Sequence, residues 1–449
     1  MDLQPTLRDA TRACLVLIAT DCWDQTNGIT TLYRAVIRSL DEQFRGHCRL
    51  LIVHPTDHAC DQSIGYGHRV IGMAPPFRFH VPQYPELVTG YVRHKDFRSL
   101  ESLYGNVDVV HIATQGLLGL SATRYAARYR KPCVGFYHTN WPAYVQEYLT
   151  SLIPSRLRVN LARTIARRWD RMIYGQCSFL IAHTDRTEQC LSSMLKRNLL
   201  YASAFVDVRR FASVDAMPSS DQDAEPVVFG FVGRIAREKN LPDLLNYADT
   251  IKRLGCRLII VGDGPERARL ARASADFVGY KHGDDLVAMY RAIHFLLIPT
   301  RSDTLGLVLL EAAACGTPAV ALRGTAAADL ISRYGSGVVV DDFDDGLFQY
   351  LHNVARSDQF KQMRARARVM AADHDVSVGT TILVKTWLNA CRVALACQAD
   401  GGGRSHIAIR IWPCRRRFRR ASVSVPSRRG AIRSVRANAQ SRKGHGRRS

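Results

Sequence analysis

A chain of 449 residues, 47% of them hydrophobic, has room for two or three domains with sizeable cores. No apolar stretch reaches the roughly 18–20 residues of a membrane span. The polar start Met1 to Arg12, followed by the short run Cys14 to Ala19, does not read as a secretory signal of about 7–15 apolar residues, so the expected location is the cytoplasm. Net charge is +22, but residues 401–449 hold fourteen Arg, one Lys and no acid, which leaves +7 on the first 400 residues, a mildly basic globular part. The twelve cysteines run from Cys14 to Cys414 without a C-x-x-C pair, which favours buried free thiols over a disulfide frame or a zinc site.

Leu15 to Asp21 reads as a first strand, leading through Cys22 to Gly28 into a helix marked by Leu32, Val36, Ile37 and Leu40. Gly28, at that turn, lets the backbone approach a ligand closely. Strands recur at Leu50 to His54, Val107 to Ile112, Cys133 to Tyr137 and Phe179 to Ala182 with helical segments between, a pattern that predicts a parallel sheet covered on both faces. Such sheets bind ligands beyond the carboxyl ends of their strands. Thr20-Asp21, His111 to Gly116 and Tyr137 to Asn140 bring polar residues there. His138, directly after a strand, either faces a cleft or is a hydrogen-bonded structural residue. Ser155 to Ile173 reads as an arginine-rich amphipathic helix with Leu157, Leu161, Ile165 and Met172 on one side, suited to packing by that stripe or to lying on an anionic membrane surface.

Residues 213–226 form a polar linker without periodicity. A second alternating series follows: Val227 to Val232, Leu258 to Gly262, Phe277-Val278, His294 to Ile298, Ala319 to Leu322 and Gly337 to Val340. The expected architecture is α/β: two Rossmann-like doubly wound domains, 1–212 and 227–375, facing a cleft, with a terminal helix at 376–399 that returns to the first. Arg234 and Lys239, on the loop after a strand, suit a diphosphate, Arg as a fork and Lys as a compact charge. Val261-Gly-Asp-Gly-Pro265 is a tight turn able to admit a flat base, although a lone Gly-x-Gly is a poor signal. The strand ending at Ile298 leads through a loop carrying Asp303 into a helix starting near Thr304 and stopping at Gly316, whose first amides and dipole attract an anion. Asp303 and Glu311 beside such a tip need hydroxyls or cations as partners. A nucleotide-linked sugar brings both hydroxyls and phosphates. Residues 400–449 read as a disordered basic tail, fit for anionic lipid or nonspecific nucleic acid or else a read-through extension.

These motifs, in this order over residues 13–395, resemble the retaining GT-B glycosyltransferases, in the large family with GDP-mannose-dependent mannosyltransferases and sulfoquinovosyl or glucosyl lipid synthases. The parts that carry the likeness are Gly233-Arg-x-x-x-x-Lys239, Gly262-Asp-Gly-Pro265, Val278-Gly279, Ser302 to Ala312 and Cys315-Gly-Thr-Pro318, joined by Thr20-Asp21, Asn27-Gly-Ile29, His111 to Thr114 and Tyr137 to Asn140. The resemblance implies Arg234 and Lys239 at the donor diphosphate, Glu311 at the ribose, Asp303 at the transferred sugar, backbone near Leu305-Gly306 at phosphate or sugar oxygens, Gly28 at the pyrophosphate and His138 near the reacting carbon. Gly233, Gly262, Gly264 and Val278 complete the expected donor site. Asp303 stands where the family pattern has Glu, and Asn140 where many relatives have Asp. The implied activity is metal-independent transfer of a mannose- or glucose-type hexose from a GDP- or UDP-sugar to a hydroxyl acceptor, a lipid among the candidates, with no other cofactor. A nucleotide-sugar 2-epimerase of the same architecture and a noncatalytic scaffold binding nucleic acid through the tail are the competing functions. Peripheral membrane contact through the helix 155–173 or the tail is a further expectation.

Overall fold

The computed structural model describes residues 13–24, 27–81, 84–142, 156–195, 200–201, 205–212, 226–271, 273–301 and 306–399. Asp303, Leu305, most of the 213–226 linker and the basic tail lie outside these residues.

Strand β1 (Cys14–Ala19) is an unbroken apolar run, buried throughout, as the centre of a parallel sheet requires. Leu15, Leu17 and Ala19 enter one core and Cys14, Val16 and Ile18 the other, so both faces are covered. It pairs in parallel with β2 (Cys48–Pro55). The next strands are β3 (Cys60–Ile64), β4 (His68–Met73), β5 (Arg78–Val81) and β6 (Tyr84–Gly90), then β7 (Val109–Ile112), β8 (Cys133–Tyr137), β9 (Phe179–Ala182) and β10 (Leu200–Tyr201). The first sheet has the order β10-β9-β8-β7-β1-β2-β4-β3, and β5 pairs with β6 alone. The strand order turns back between β1 and β7, which makes that point the natural ligand crevice. The second sheet, β11 (Val228–Val232), β12 (Arg257–Val261), β13 (Asp276–Gly279), β14 (Phe295–Ile298), β15 (Ala319–Leu322) and β16 (Gly337–Val340), is parallel throughout in the order β13-β12-β11-β14-β15-β16. Its reversal falls between β11 and β14.

The first-domain helices are α1 (Gly28–Gln43), α2 (His94–Tyr104), α3 (Leu117–Arg128), α4 (Arg156–Tyr174), α5 (Asp185–Leu195) and α6 (Val208–Ala212). Around the second sheet lie α7 (Leu241–Leu245), α8 (Ala248–Arg253), α9 (Arg267–Leu270), α10 (Gly283–Ala292), α11 (Leu307–Ala314), α12 (Ala326–Tyr334), α13 (Asp345–Val354) and α14 (Asp358–Asp373), followed by α15 (Val376–Ala399). None of the described helices is long and apolar enough to cross a membrane.

α15 carries the chain back to the first sheet. The Val206 amide donates to the His374 carbonyl and the Val376 amide to the Val206 carbonyl, at 2.9 and 2.8 Å, which pins the crossover. Leu383, Val384, Trp387 and Ala390 then fill the same core as Tyr33, Val36 and Leu40 of α1.

Three expectations need correction. Four strands, β3 to β6, occupy a region expected to be helical; β3 is almost wholly exposed and polar, so no alternation of apolar residues betrays it. The helix expected from near Thr304 starts at Leu307 with Gly306 as its N-cap. The stripe of α4 does not pack inward: Leu161 is 62% exposed, Ile165 58% and Met172 39%, while Ala166, Asp170, Ile173 and Tyr174 are buried. Polar anchors set that orientation. The Trp169 indole N–H donates to the Gln115 carbonyl at 2.6 Å, and Tyr137 Oη donates to Asp170 at 2.9 Å.

Gly379 of α15 lies against the Phe205 ring so closely that a Cβ there would collide with it. Gly379→Ala gains about 1 kcal/mol of helix propensity but overpacks by about 1–3 kcal/mol. Urea unfolding is expected to show a net loss of stability despite the better helix former.

Candidate active site

Three loops after β11, β12 and β13 are bound to one another through their backbones. The Gly233 amide donates to the Val261 carbonyl at 2.9 Å, Ile235 to Asp263 at 2.8 Å and Gly262 to Gly279 at 2.9 Å. Such approach leaves no room for side chains: a Cβ on Gly262 would run into the Gly233 carbonyl, and one on Gly264 into that of Ile235. Both glycines also have positive φ, 137° and 159°. Val278, half-buried in β13, flanks this zipper. Arg234 and Lys239 follow on the first loop, both half-buried, Lys239 closing a 3-10 turn (Arg237–Lys239). That turn is tied to the end of β14, since Thr300 Oγ1 donates to the Glu238 carbonyl at 2.9 Å. The two cations are thereby anchored to the segment that leads toward α11.

Among the described residues, the start of α11 has no side-chain cap. Gly306 has no side chain to cap it, and its first turn holds no acid. Neighbouring helix starts are occupied: Asn27 accepts from the Thr30 amide at α1, and Thr325 from that of Ala328 at α12. At α3 the place is taken by Asp21, which accepts from Thr114 Oγ1 at 2.7 Å, Thr89 Oγ1 at 2.8 Å and the amides of Gly116 and Leu118. Burial raises the Asp21 pKa, and these donors partly offset it. Asp21, expected among the ligand-facing polar residues, is consumed as the plug of a helix tip.

The tip of α11 meets the first domain directly. A Cβ on Gly28 would lie 3.6 Å from Leu307 Cδ1, and Leu307 packs against cores of both domains. The N-termini of α1 and α11 thus come together at one seam. One turn beyond Leu307 on the same helix face, Glu311 is buried and accepts from Tyr290 Oη at 2.6 Å. Burial raises its pKa, opposed by the Tyr290 hydroxyl and Arg210.

On the first-domain side, His138 follows β8 in a cluster of buried rings. Its Nε2 lies 3.3 Å from Tyr33 Oη and its Nδ1 2.8 Å from His183 Nε2. Tyr33 Oη is 2.7 Å from His111 Nε2, and the Trp387 indole donates to His111 Nδ1 at 3.2 Å. Burial, then the neighbouring His183 and His111, holds the His138 pKa well below its usual value, and burial lowers His111 and His183 to about 3. All three are neutral at pH 7. Tyr33, His183 and Tyr290 were not singled out from sequence, yet His183 had a signal: Phe136-Tyr-His-Thr139 and Ile181-Ala-His-Thr184 are the same strand end twice.

Two family models match in tandem, Glycosyltransferase Family 4 over residues 26–198 and Glycosyl transferases group 1 over residues 226–356. A GDP-mannose-dependent alpha-mannosyltransferase of Mycobacterium tuberculosis (strain CDC 1551 / Oshkosh) is 29% identical, covering 79% of this chain and 92% of that protein. The chain belongs to the GT-B glycosyltransferase family. Another protein of the same name, from Corynebacterium glutamicum, is 26% identical over 86% of this chain and 88% of its own, and a sulfoquinovosyl transferase of Arabidopsis thaliana 28% over 61% and 53%. Sucrose-phosphate synthase from Thermosynechococcus elongatus shares the fold with a TM-score of 0.63 at 16% identity, covering 84% of this chain and all of that one. Anabaena HepE in complex with UDP does so at 0.56 and 16%, over 83% and 99%.

Beneath the His138 loop of this glycosyltransferase, Gln115 Nε2 donates to the Thr139 carbonyl at 2.7 Å, so the loop rests on the backbone that also holds Trp169 of α4. Asp170, wholly buried beside it, has its pKa pushed by burial from 3.8 to about 7, against the Tyr137 hydroxyl bond. A carboxyl whose folded pKa is the higher one stabilises fully below the unfolded value and loses that contribution as pH rises through the folded one. Asp170→Asn keeps an acceptor for Tyr137 and removes the ionisation. The unfolding free energy from urea titration is expected to be higher for the variant at pH 8, by on the order of 1–4 kcal/mol, with the advantage fading between pH 7 and pH 4.

Proposed function

We propose that this glycosyltransferase moves a hexose from a nucleotide-diphosphate sugar to a hydroxyl acceptor, with retention at the anomeric carbon and without a metal ion. The relatives' names favour GDP-mannose as donor. They also weigh against the 2-epimerase alternative, being names of transferases. The observation that carries the reading is the seam of Gly28 and Leu307, where a helix tip with no side-chain cap among the described residues is tied through Thr300 to the Arg234 and Lys239 loop.

In this mechanism Arg234, Lys239 and the first amides of α11 neutralise the departing diphosphate, charge stabilisation of the preorganised kind that a metal would otherwise supply. The acceptor hydroxyl attacks on the face from which the diphosphate leaves, and its proton passes to the departing phosphate oxygen. Glu311 holds the ribose hydroxyls, Gly233, Gly262 and Gly264 let the backbone approach the nucleotide, and His138 borders the reacting carbon. The same scheme gives Asp303 and the Leu305-Gly306 backbone the roles of binding sugar and phosphate oxygens. Closing the seam keeps water from the donor.

A lipid acceptor on the inner face of a membrane suits the outward stripe of α4. Exposed Leu161, Ile165 and Met172 run beside exposed Arg163, Arg167, Arg168 and Arg171, and the helix's one acid, Asp170, is buried. Apolar stripe plus cations is what an anionic lipid surface attracts. The inner side of the same helix supports the His138 loop through Trp169 and Gln115.

Arg234→Ala and Lys239→Ala are each expected to lower kcat/KM for GDP-mannose by about 100-fold or more with unchanged unfolding midpoints; wild-type transfer in both variants refutes the roles. An α-linked product from the α-linked donor, read by NMR of the glycoside, supports retention, and conversion of donor sugar without acceptor supports the epimerase instead. Leu161→Ser/Ile165→Ser is expected to weaken sedimentation with phosphatidylglycerol vesicles relative to wild type while leaving transfer to a water-soluble acceptor intact.

A further inference from the structure

The buried rings around His138 form a hydrogen-bond chain whose direction can be worked out. An indole N–H only donates, so Trp387 fixes His111 Nδ1 as an acceptor. Neutral His111 then carries its proton on Nε2 and donates it to Tyr33 Oη at 2.7 Å. The Tyr33 proton is left for His138 Nε2 at 3.3 Å, and His138 must carry its own proton on Nδ1, donated to His183 Nε2 at 2.8 Å. Among the described residues one buried group of the chain ends without a partner, His183 Nδ1. The opposite course beyond Tyr33 is worse: His138 Nε2–H and His111 Nε2–H would both donate to Tyr33, stranding the phenol proton as well as a lone pair on His183 Nδ1. Each stranded buried group costs about 1–3 kcal/mol, so the first direction prevails.

We infer that Trp387, His111 and Tyr33 are positioning residues that fix the tautomer of His138, so that its Nε2 presents a lone pair to a hydroxyl of the substrate. The 3.3 Å bond to Tyr33 is the longest in the chain, so it is the link a substrate hydroxyl donating to His138 Nε2 displaces, and the oxygen of that hydroxyl accepts the Tyr33 phenol proton in turn. His138 is also the most exposed member, at 9%, against 0% for Trp387 and His111, 1% for Tyr33 and 4% for His183. The control point sits on α15, the crossover helix, so the segment that joins the domains also sets how the first domain meets the sugar. This kinetic consequence rests on the proposed place of His138 at the reacting centre; the tautomer itself does not.

Long-range proton–nitrogen NMR correlation on the full-length protein labelled with 15N-histidine tests the tautomers without any substrate. The expected pattern is a proton on Nε2 for His111 and on Nδ1 for His138, both neutral at pH 6. A proton on Nε2 of His138, or a doubly protonated ring, overturns the inference. Tyr33→Phe keeps the ring and removes the link; the His138 tautomer is expected to become mixed, and kcat to fall about fivefold to tenfold with the donor KM unchanged. An unchanged His138 spectrum in that variant overturns the coupling. If Trp387→Phe folds, adding it to Tyr33→Phe is expected to cost little more than either alone, and fully multiplicative losses contradict a shared chain. Should that variant fail to fold, the wild-type and Tyr33→Phe spectra still decide the matter.

Discussion

The contact between Leu307 and Gly28 is what the rest of the architecture serves. Two parallel sheets, each with its strand order reversed near the centre, send helices outward from their carboxyl edges. At the seam one helix from each sheet meets the other by its N-terminus, and a Cβ at position 28 would make ordinary contact with Leu307. Leu307 closes the junction by packing on cores of both domains. A single leucine thus belongs to two hydrophobic clusters and stands at the entrance of α11.

Around that junction the molecule spends its polar groups selectively. Three helix tips are satisfied internally, those of α1 by Asn27, α12 by Thr325 and α3 by the buried carboxylate of Asp21. The tip of α11 has no side-chain cap among the described residues, and the glycine zipper joining Gly233, Gly262 and Gly279 ties the neighbouring loops together by backbone bonds. Rigid donors with few competing side chains are what preorganised binding of a diphosphate requires. The crossover helix supports the opposite wall, its Trp387 reaching the His138 cluster.

Much of this was legible in the chain. Apolar runs such as Cys133 to Tyr137 and Ala319 to Leu322 gave strands at their observed bounds, because a strand buried on both faces must be apolar throughout. The exposed β3 has no such requirement and left no pattern. The stripe of α4 was visible, but its outward direction depended on Trp169 and Asp170 finding partners far away in sequence, Gln115 after β7 and Tyr137 at the end of β8. Asp21 looked like a ligand-facing acid because its partners, Thr89 and the start of α3, come from segments 68 or more residues on. Likewise Tyr33, His111, His138, His183 and Trp387 come from five elements, so no local spacing brings them together. The Gly-Arg-x-x-x-x-Lys and Asn-Gly motifs, by contrast, are local in sequence and local in the fold.

A crystal structure of the protein with GDP bound tests the central claim most directly. The account predicts the β-phosphate at the tip of α11, near the Leu307 amide and opposite Gly28, with Arg234 and Lys239 in ion-pairing distance. A diphosphate bound away from this seam, or one touched by neither cation, would contradict it.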